Sequence, residues 1–157
     1  MTLVSTALLL TLPGIPCIYT GDEVGAEYSP YVSRGPIGWN EQVSGLRDYH
    51  KKLIALRKEL PSLHSRSWIP LTLEPAQDQV AYGYLRYHGE HEDPILLLLN
   101  FTEAPTQLAF SMPEGFSNLS GASLQDLLSE ERVAVRTENG LKKVSVPGYG
   151  VRILTAA

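Results

Sequence analysis

Residues 12–25 read LPGIPCIYTGDEVG, and the fold turns on what this stretch is. A short apolar run is ambiguous between strand and buried helix by periodicity alone, so length and flanks must decide. Pro13, Gly14 and Pro16 interrupt whatever precedes, Ile15, Ile18 and Tyr19 are branched or aromatic, and Gly21 permits a turn, so the stretch is predicted to be a strand. It does not alternate, which predicts burial on both faces, as in parallel sheets and barrels. Its end carries two adjacent carboxylates, Asp22 and Glu23, and strand C-termini are where a parallel barrel holds its chemistry. Cys17 is the single cysteine; it reads as a small buried hydrophobe and leaves the redox compartment open.

Upstream, MTLVSTALLLTLPG is apolar from Met1 onward. It lacks a basic leading segment and a small-residue cleavage site, so it reads as a covered helix rather than a targeting segment, which favours a cytoplasmic location. It is also too short to span a bilayer. Downstream, residues 25–40 hold Gly25, Pro30, Gly35, Pro36 and Gly38, the composition of a loop. Leu46, Tyr49, Leu53, Leu56 and Leu60 then recur at helical spacing, with Ser44 as the predicted N-cap and Pro61 as the stop.

From about Ser67 the pattern changes to short strands separated by turn residues: 68–73, 80–87, 95–101, 106–111, 132–136, 143–146 and 151–155, with 124–128 open between helix and strand. This predicts an antiparallel sandwich. The chain is thus expected to divide into 1–63 and 64–157, the second part able to bury a core of its own. The first lacks the neighbours that a parallel strand needs. With 13 Lys and Arg against 17 Asp and Glu, a net charge of -4 and no long charge run, nucleic acid and an anionic membrane surface are excluded as partners.

Several stretches together resemble one family. TALLLTLPGIPCIYTGDEVG (6–25) resembles the seventh helix and eighth strand of the catalytic barrel in the α-amylase family of glycoside hydrolases, glycoside hydrolase family 13. Gly14, Pro16, Tyr19, Gly21 and Glu23 match its Gly-x-Pro and Tyr-x-Gly-x-Glu motif. RGPIGW is similar to the Arg-x-Pro-Met-x-Trp segment that follows, through Arg34, Pro36 and Trp39, with Ile37 in place of Met. LRDYHKKLIALRKELPSL resembles the last barrel helix, and Asn100-Phe101 together with VPGYGVRIL resembles the closing β-sandwich, domain C.

The resemblance implies an α+β chain: the last helix, strand and helix of a (β/α)8 barrel, then domain C. It implies a parent enzyme that hydrolyses or transfers α-glucosidic bonds in α-glucans or malto-oligosaccharides, maltogenic amylase-, neopullulanase- or α-glucosidase-like. No cofactor and no metal are implied. The family's nucleophilic Asp, general-acid Glu and third Asp sit on the fourth, fifth and seventh strands, so no catalytic residue is assigned to this chain, and the chain alone is expected to be inactive. Asp22, Glu23, Arg34 and Trp39 are the candidates for the edge of the substrate cleft. Glu23 is read as a brace of the loop through backbone donors, Asp22 as a rim contact, and Trp39 as a loop anchor or a stacking platform. The missing barrel portion is the expected partner, with oligomers forming through exposed apolar surface in its absence.

Other residues have plainer readings. His88 and His91 lie in a polar hairpin tip rather than a metal site. Asn100-Phe101-Thr102 and Asn118-Leu119-Ser120 fit the glycosylation sequon and are read as silent. Tyr82, Tyr84 and Tyr87 with Trp68 raise an alternative function, a noncatalytic carbohydrate-binding or interaction module. Two-residue spacing puts Tyr82 and Tyr84 on one face and Tyr87 on the other, which reads as sandwich core.

Overall fold

The computed structural model describes residues 2–26, 39, 45–74 and 81–156. Beyond Trp68 the described residues form ten strands: β1 (Trp68–Pro70), β2 (Leu73–Glu74), β3 (Ala81–His88), β4 (Glu92–Asn100), β5 (Thr106–Phe110), β6 (Ser123–Asp126), β7 (Arg132–Ala134), β8 (Arg136–Glu138), β9 (Leu141–Val146) and β10 (Val151–Ala156). They pair antiparallel into a six-stranded sheet, ordered β1-β3-β4-β10-β6-β7, and a four-stranded sheet, ordered β2-β5-β9-β8. The expected strands are present, and two of them divide. Residues 68–73 split at Pro70 and Leu73 into β1 and β2, and 132–136 split around Val135 into β7 and β8. In both cases the chain leaves one sheet and joins the other, which a single straight strand cannot do.

Leu71, Leu85, Leu96, Leu98, Leu108, Phe110, Val144 and Leu154 fill the space between the sheets. The outer face of the six-stranded sheet is apolar too. Ile95, Leu97 and Leu99 of β4, Tyr84 of β3 and Ile153 of β10 pack under three helices: α1 (Thr2–Thr11), α2 (Leu46–Glu59) and α3 (Pro61–His64). The period of two explains why Leu96 and Leu98 face one layer while Ile95, Leu97 and Leu99 face the other. ILLLL is apolar throughout because β4 is covered on both sides. Val4, Ala7 and Leu10 of α1, Leu53 of α2 and Leu63 of α3 supply the cover, each Val or Leu side chain contributing roughly 1.5–3 kcal/mol of burial. Tyr82 and Tyr84 therefore belong to the helix-sheet layer, not to the sandwich interior as expected, whereas Tyr87 faces inward and meets Phe116 with ring centroids 5.2 Å apart.

The stretch 15–19 is not a strand. It makes no ladder, Ile15 is 99% exposed, and Cys17 is exposed rather than buried. The reason is physical: a doubly buried parallel strand requires strands on both edges, and none lies beside it among the described residues. The exposed apolar surface expected on this part of the chain is present at Leu3, Leu9, Ile15, Ile18 and Tyr19. α2 begins after Gly45 with no side-chain cap, and Ser44, the predicted cap, lies outside the described residues. Pro61 does not merely stop α2: it opens α3 at its first turn, where its missing N–H costs nothing. The loop read over 25–40 lies mostly outside the described residues. Among the described residues no helix is long and apolar enough to cross a membrane.

Candidate functional site

The turn after residue 19 is built by glycine. Gly21 (φ 98°) and Gly25 (φ 70°) take left-handed conformations that bracket a single 3-10 turn, Asp22–Val24. Val24 is fully buried and pins the turn, while its backbone N–H donates to the Gly21 carbonyl at 3.1 Å. Both carboxylates brace it. Asp22 Oδ2 accepts from the Tyr19 N–H at 2.8 Å, and Glu23 Oε2 accepts from the Gly21 N–H at 3.2 Å. The two acids thus sit on one short 3-10 turn rather than on the extended segment the sequence predicts. Asp22 also lines a cleft of about 400 Å³ between α1 and α2, together with Thr2, Thr6, Leu9 and His50.

His50 was not legible as a site residue. It is a polar residue inside the apolar stripe of α2, three before Leu53 and four after Leu46, and that interruption was the available signal. It is buried, with Nδ1 2.9 Å from the Leu46 carbonyl. A carbonyl only accepts, so Nδ1 carries the proton in that bond. The wall of the cleft thus offers carboxylate and hydroxyl oxygens and an imidazole, a lining suited to polyhydroxyl ligands.

Trp39 is 57% exposed, and its carbonyl accepts from Arg47 Nη2 of α2 at 3.0 Å. Arg34 lies outside the described residues. His88 Nε2 is 3.1 Å from Glu92 Oε2, and His91 stacks with Phe116 and Tyr87 at centroid distances of 4.5 and 5.1 Å, so both histidines have hairpin partners. Among the described residues no group of three or more His, Cys, Asp or Glu is placed to hold a metal. Asn100 of the first sequon is fully buried. Its Nδ2 donates to the Ala104 and Pro147 carbonyls at 2.8 and 3.0 Å, and its Oδ1 accepts from Thr102.

Two arginines that the sequence reading passed over position the cleft on the sandwich. Arg57 of α2 donates from Nη1 to the carbonyls of Leu10 (2.7 Å) and Leu12 (3.3 Å) and from Nη2 to that of Gly14 (2.6 Å). Arg86 of β3 is fully buried. It donates from Nη1 to Thr11, from Nη2 to Leu63 (3.2 Å) and Ser65 (2.5 Å), and from Nε to Ser67 (3.3 Å), all backbone carbonyls. Together they collect the unpaired carbonyls at the C-terminal end of α1, where the helix dipole favours a cation. Burial lowers both guanidinium pKa values. Beside them the Tyr84 hydroxyl lies 2.6 Å from Thr11 Oγ1, which donates to the Ala7 carbonyl, so Tyr84 donates to Thr11. Burial pushes the Tyr84 phenol up to about 12.

No protein-family profile matches the chain. Two sequence relatives are a trehalose synthase from Thermus thermophilus and a cyclomaltodextrinase from Geobacillus thermopakistaniensis. The first is 28% identical over 63% of this chain and 14% of its own length, the second 27% identical over 90% of this chain and 23% of its own length. Among solved structures, the maltogenic α-amylase AmyB from Thermotoga neapolitana superposes with a TM-score of 0.72 at 20% identity, covering 98% of this chain and 35% of that one. AmyP, solved in complex with maltose, gives 0.69 at 17% identity, covering 99% and 34%. The antiparallel sheets match the C-terminal β-sandwich of glycoside hydrolases. The chain is thus similar in sequence and fold to the C-terminal part of α-amylase-family enzymes, and it spans less than a quarter of the length of the curated relatives it matches.

Proposed function

We propose that this chain is the C-terminal part of a retaining glycoside hydrolase or transglycosylase that acts on α-glucans such as malto-oligosaccharides. Residues 1–63 supply the last helix, strand and helix of its (β/α)8 barrel, and residues 64–157 supply domain C. The observation that carries the reading is the fold correspondence over 98% of this chain and 35% of a maltogenic amylase, reinforced by sequence relatives that match a similarly small share of their own length. The exposed apolar stretch at Ile15, Ile18 and Tyr19 supports it, because such a stretch is what a barrel strand presents before its neighbours flank it.

In this reading Asp22, Glu23, Arg34 and Trp39 stand at one edge of the substrate cleft. Glu23 braces the turn, and Asp22, with one oxygen bound to the Tyr19 amide, keeps the other for a sugar hydroxyl. Arg34 offers a fork of donors and Trp39 a ring face. Neither acid is the nucleophile. A retaining glycosidase needs two carboxyl groups about 5–5.5 Å apart across the scissile bond. Asp22 and Glu23 are instead successive residues of one turn, each committed to a backbone amide. The chain by itself is therefore inactive and contributes the rim, the closing strand and the supporting sandwich.

The test is activity with and without a barrel. The purified chain, incubated with maltotriose, soluble starch and a nitrophenyl α-glucoside, should release nothing above buffer. Joined behind the corresponding barrel portion of the cyclomaltodextrinase relative, it should support glucan turnover. Turnover by the isolated chain that disappears in Glu23→Gln would overturn the reading.

A further inference from the structure

A second cleft, of about 270 Å³, opens at the end of the sandwich where the chain steps from β7 to β8. It shares no lining residue with the Asp22 cleft. On a chain whose net charge is -4, its walls carry Arg132, Arg136, Lys143 and Arg152, with Gln107 and Ser145 between them and, among the described residues, Glu131 as the carboxylate of the lining. The four cations come from four strands and from both sheets, so the fold, not a run of basic sequence, brings them together.

Two of them are positioned by acids outside the lining. Arg152 Nη1 lies 2.8 Å from Asp126 Oδ2, and Lys143 Nζ lies 2.6 Å from Glu138 Oε2. Arg132 is exposed and has no ion-pair partner among the described residues. Arg136, also exposed, sits directly opposite Lys143 in the β8–β9 register. Like charges facing one another across an antiparallel pair are unfavourable; Glu138, whose carboxylate pKa both cations lower, offsets part of this, and a further anion in the cleft offsets more.

We infer that this cleft binds a phosphate group, either as free phosphate or as the monoester of a sugar. The guanidiniums of Arg132 and Arg136, neither in a salt bridge within 4.0 Å among the described residues, present forked donors that match phosphate oxygens. Gln107 and Ser145 add neutral hydrogen-bonding groups beside them. The volume lies just below the usual range for small-molecule sites, about 300–1,000 Å³, so it takes one small anion rather than a length of glucan. Concentration of one sign of charge in a concave wall raises the local concentration of that anion.

The full chain is titrated with inorganic phosphate, glucose 6-phosphate and glucose by isothermal calorimetry at about 20 mM ionic strength, where screening is weak. Both phosphates should saturate, glucose should not bind, and affinity should fall at about 0.2 M salt. Arg132→Gln with Arg136→Gln should raise Kd roughly tenfold or more. Lys51→Gln with Lys58→Gln, which removes the same charge from the exposed face of α2, should leave Kd within about twofold. Tighter binding of glucose 6-phosphate identifies a sugar ester as the source, and equal binding identifies free phosphate; either supports the site. Absence of saturation with both phosphates, or equal loss in the two double variants, overturns it. Neither outcome depends on glucan turnover.

Discussion

Replacing Arg86 with Met removes the donor that gathers four backbone carbonyls from α1, α3 and the segment leading into β1. The Thr11 and Leu63 carbonyls belong to buried residues, whereas those of Ser65 and Ser67 belong to half-buried ones that water can reach. An orphaned buried polar group costs about 1–3 kcal/mol, so the two buried carbonyls together cost about 2–6 kcal/mol. Removing a desolvated cation that has no carboxylate partner among the described residues gives some of this back, leaving a net loss of about 2–4 kcal/mol. For a chain of this size each kcal/mol shifts Tm by about 2–4 °C, so the expected fall is roughly 4–16 °C. Thermal melts followed by circular dichroism, with urea titrations for the free energy, measure it directly. Arg86→Lys keeps the charge but not the fork, and should recover only part of the loss. An Arg86→Met chain that melts within about 2 °C of the unaltered protein, or above it, would refute the reasoning, because it would mean that the buried guanidinium contributes nothing beyond its volume.

Tyr84 carries a pH dependence. Its folded pKa, raised to about 12 by burial, exceeds the unfolded value of about 10, so its stabilising effect is complete below pH 10 and is lost as pH rises toward 12. Tyr84→Phe should flatten that alkaline limb in urea titrations at pH 9, 10 and 11, leaving the fall due to other groups such as Tyr49, whose pKa burial also raises. At Gly148 any Cβ would fall 1.7 Å from the Glu103 carbonyl oxygen, which is backbone and cannot swing away, so Gly148→Ala should lower Tm by several degrees and loosen the Asn100 corner. Calorimetry checks the first effect, and amide exchange at Tyr149, whose N–H donates to Thr102, checks the second. Finally, the exposed Ile15 and Ile18 should drive association, so Ile15→Lys with Ile18→Lys should shift light scattering toward monomer; unchanged scattering would remove this stretch as the cause.

Much of this protein is written locally in its sequence. The stripe at Leu46, Tyr49, Leu53 and Leu56 becomes α2 because a period near 3.6 puts those side chains on one face whatever they later meet. The strands of the sandwich follow from branched and aromatic runs between Gly, Pro and Asn, and the turn at Asp22 follows from two glycines that alone take left-handed backbone easily. Periodicity says which residues share a face but not what covers it. Only the tertiary structure decided that Tyr82 and Tyr84 lie beneath helices, that Arg86 is buried among carbonyls from three separate segments, and that four cations from both sheets meet in one cleft. The stretch 12–25 shows the same limit from the other side: its composition is that of a doubly buried strand, yet a strand exists only where another supplies its ladder, and beside Ile15 none of the described residues does.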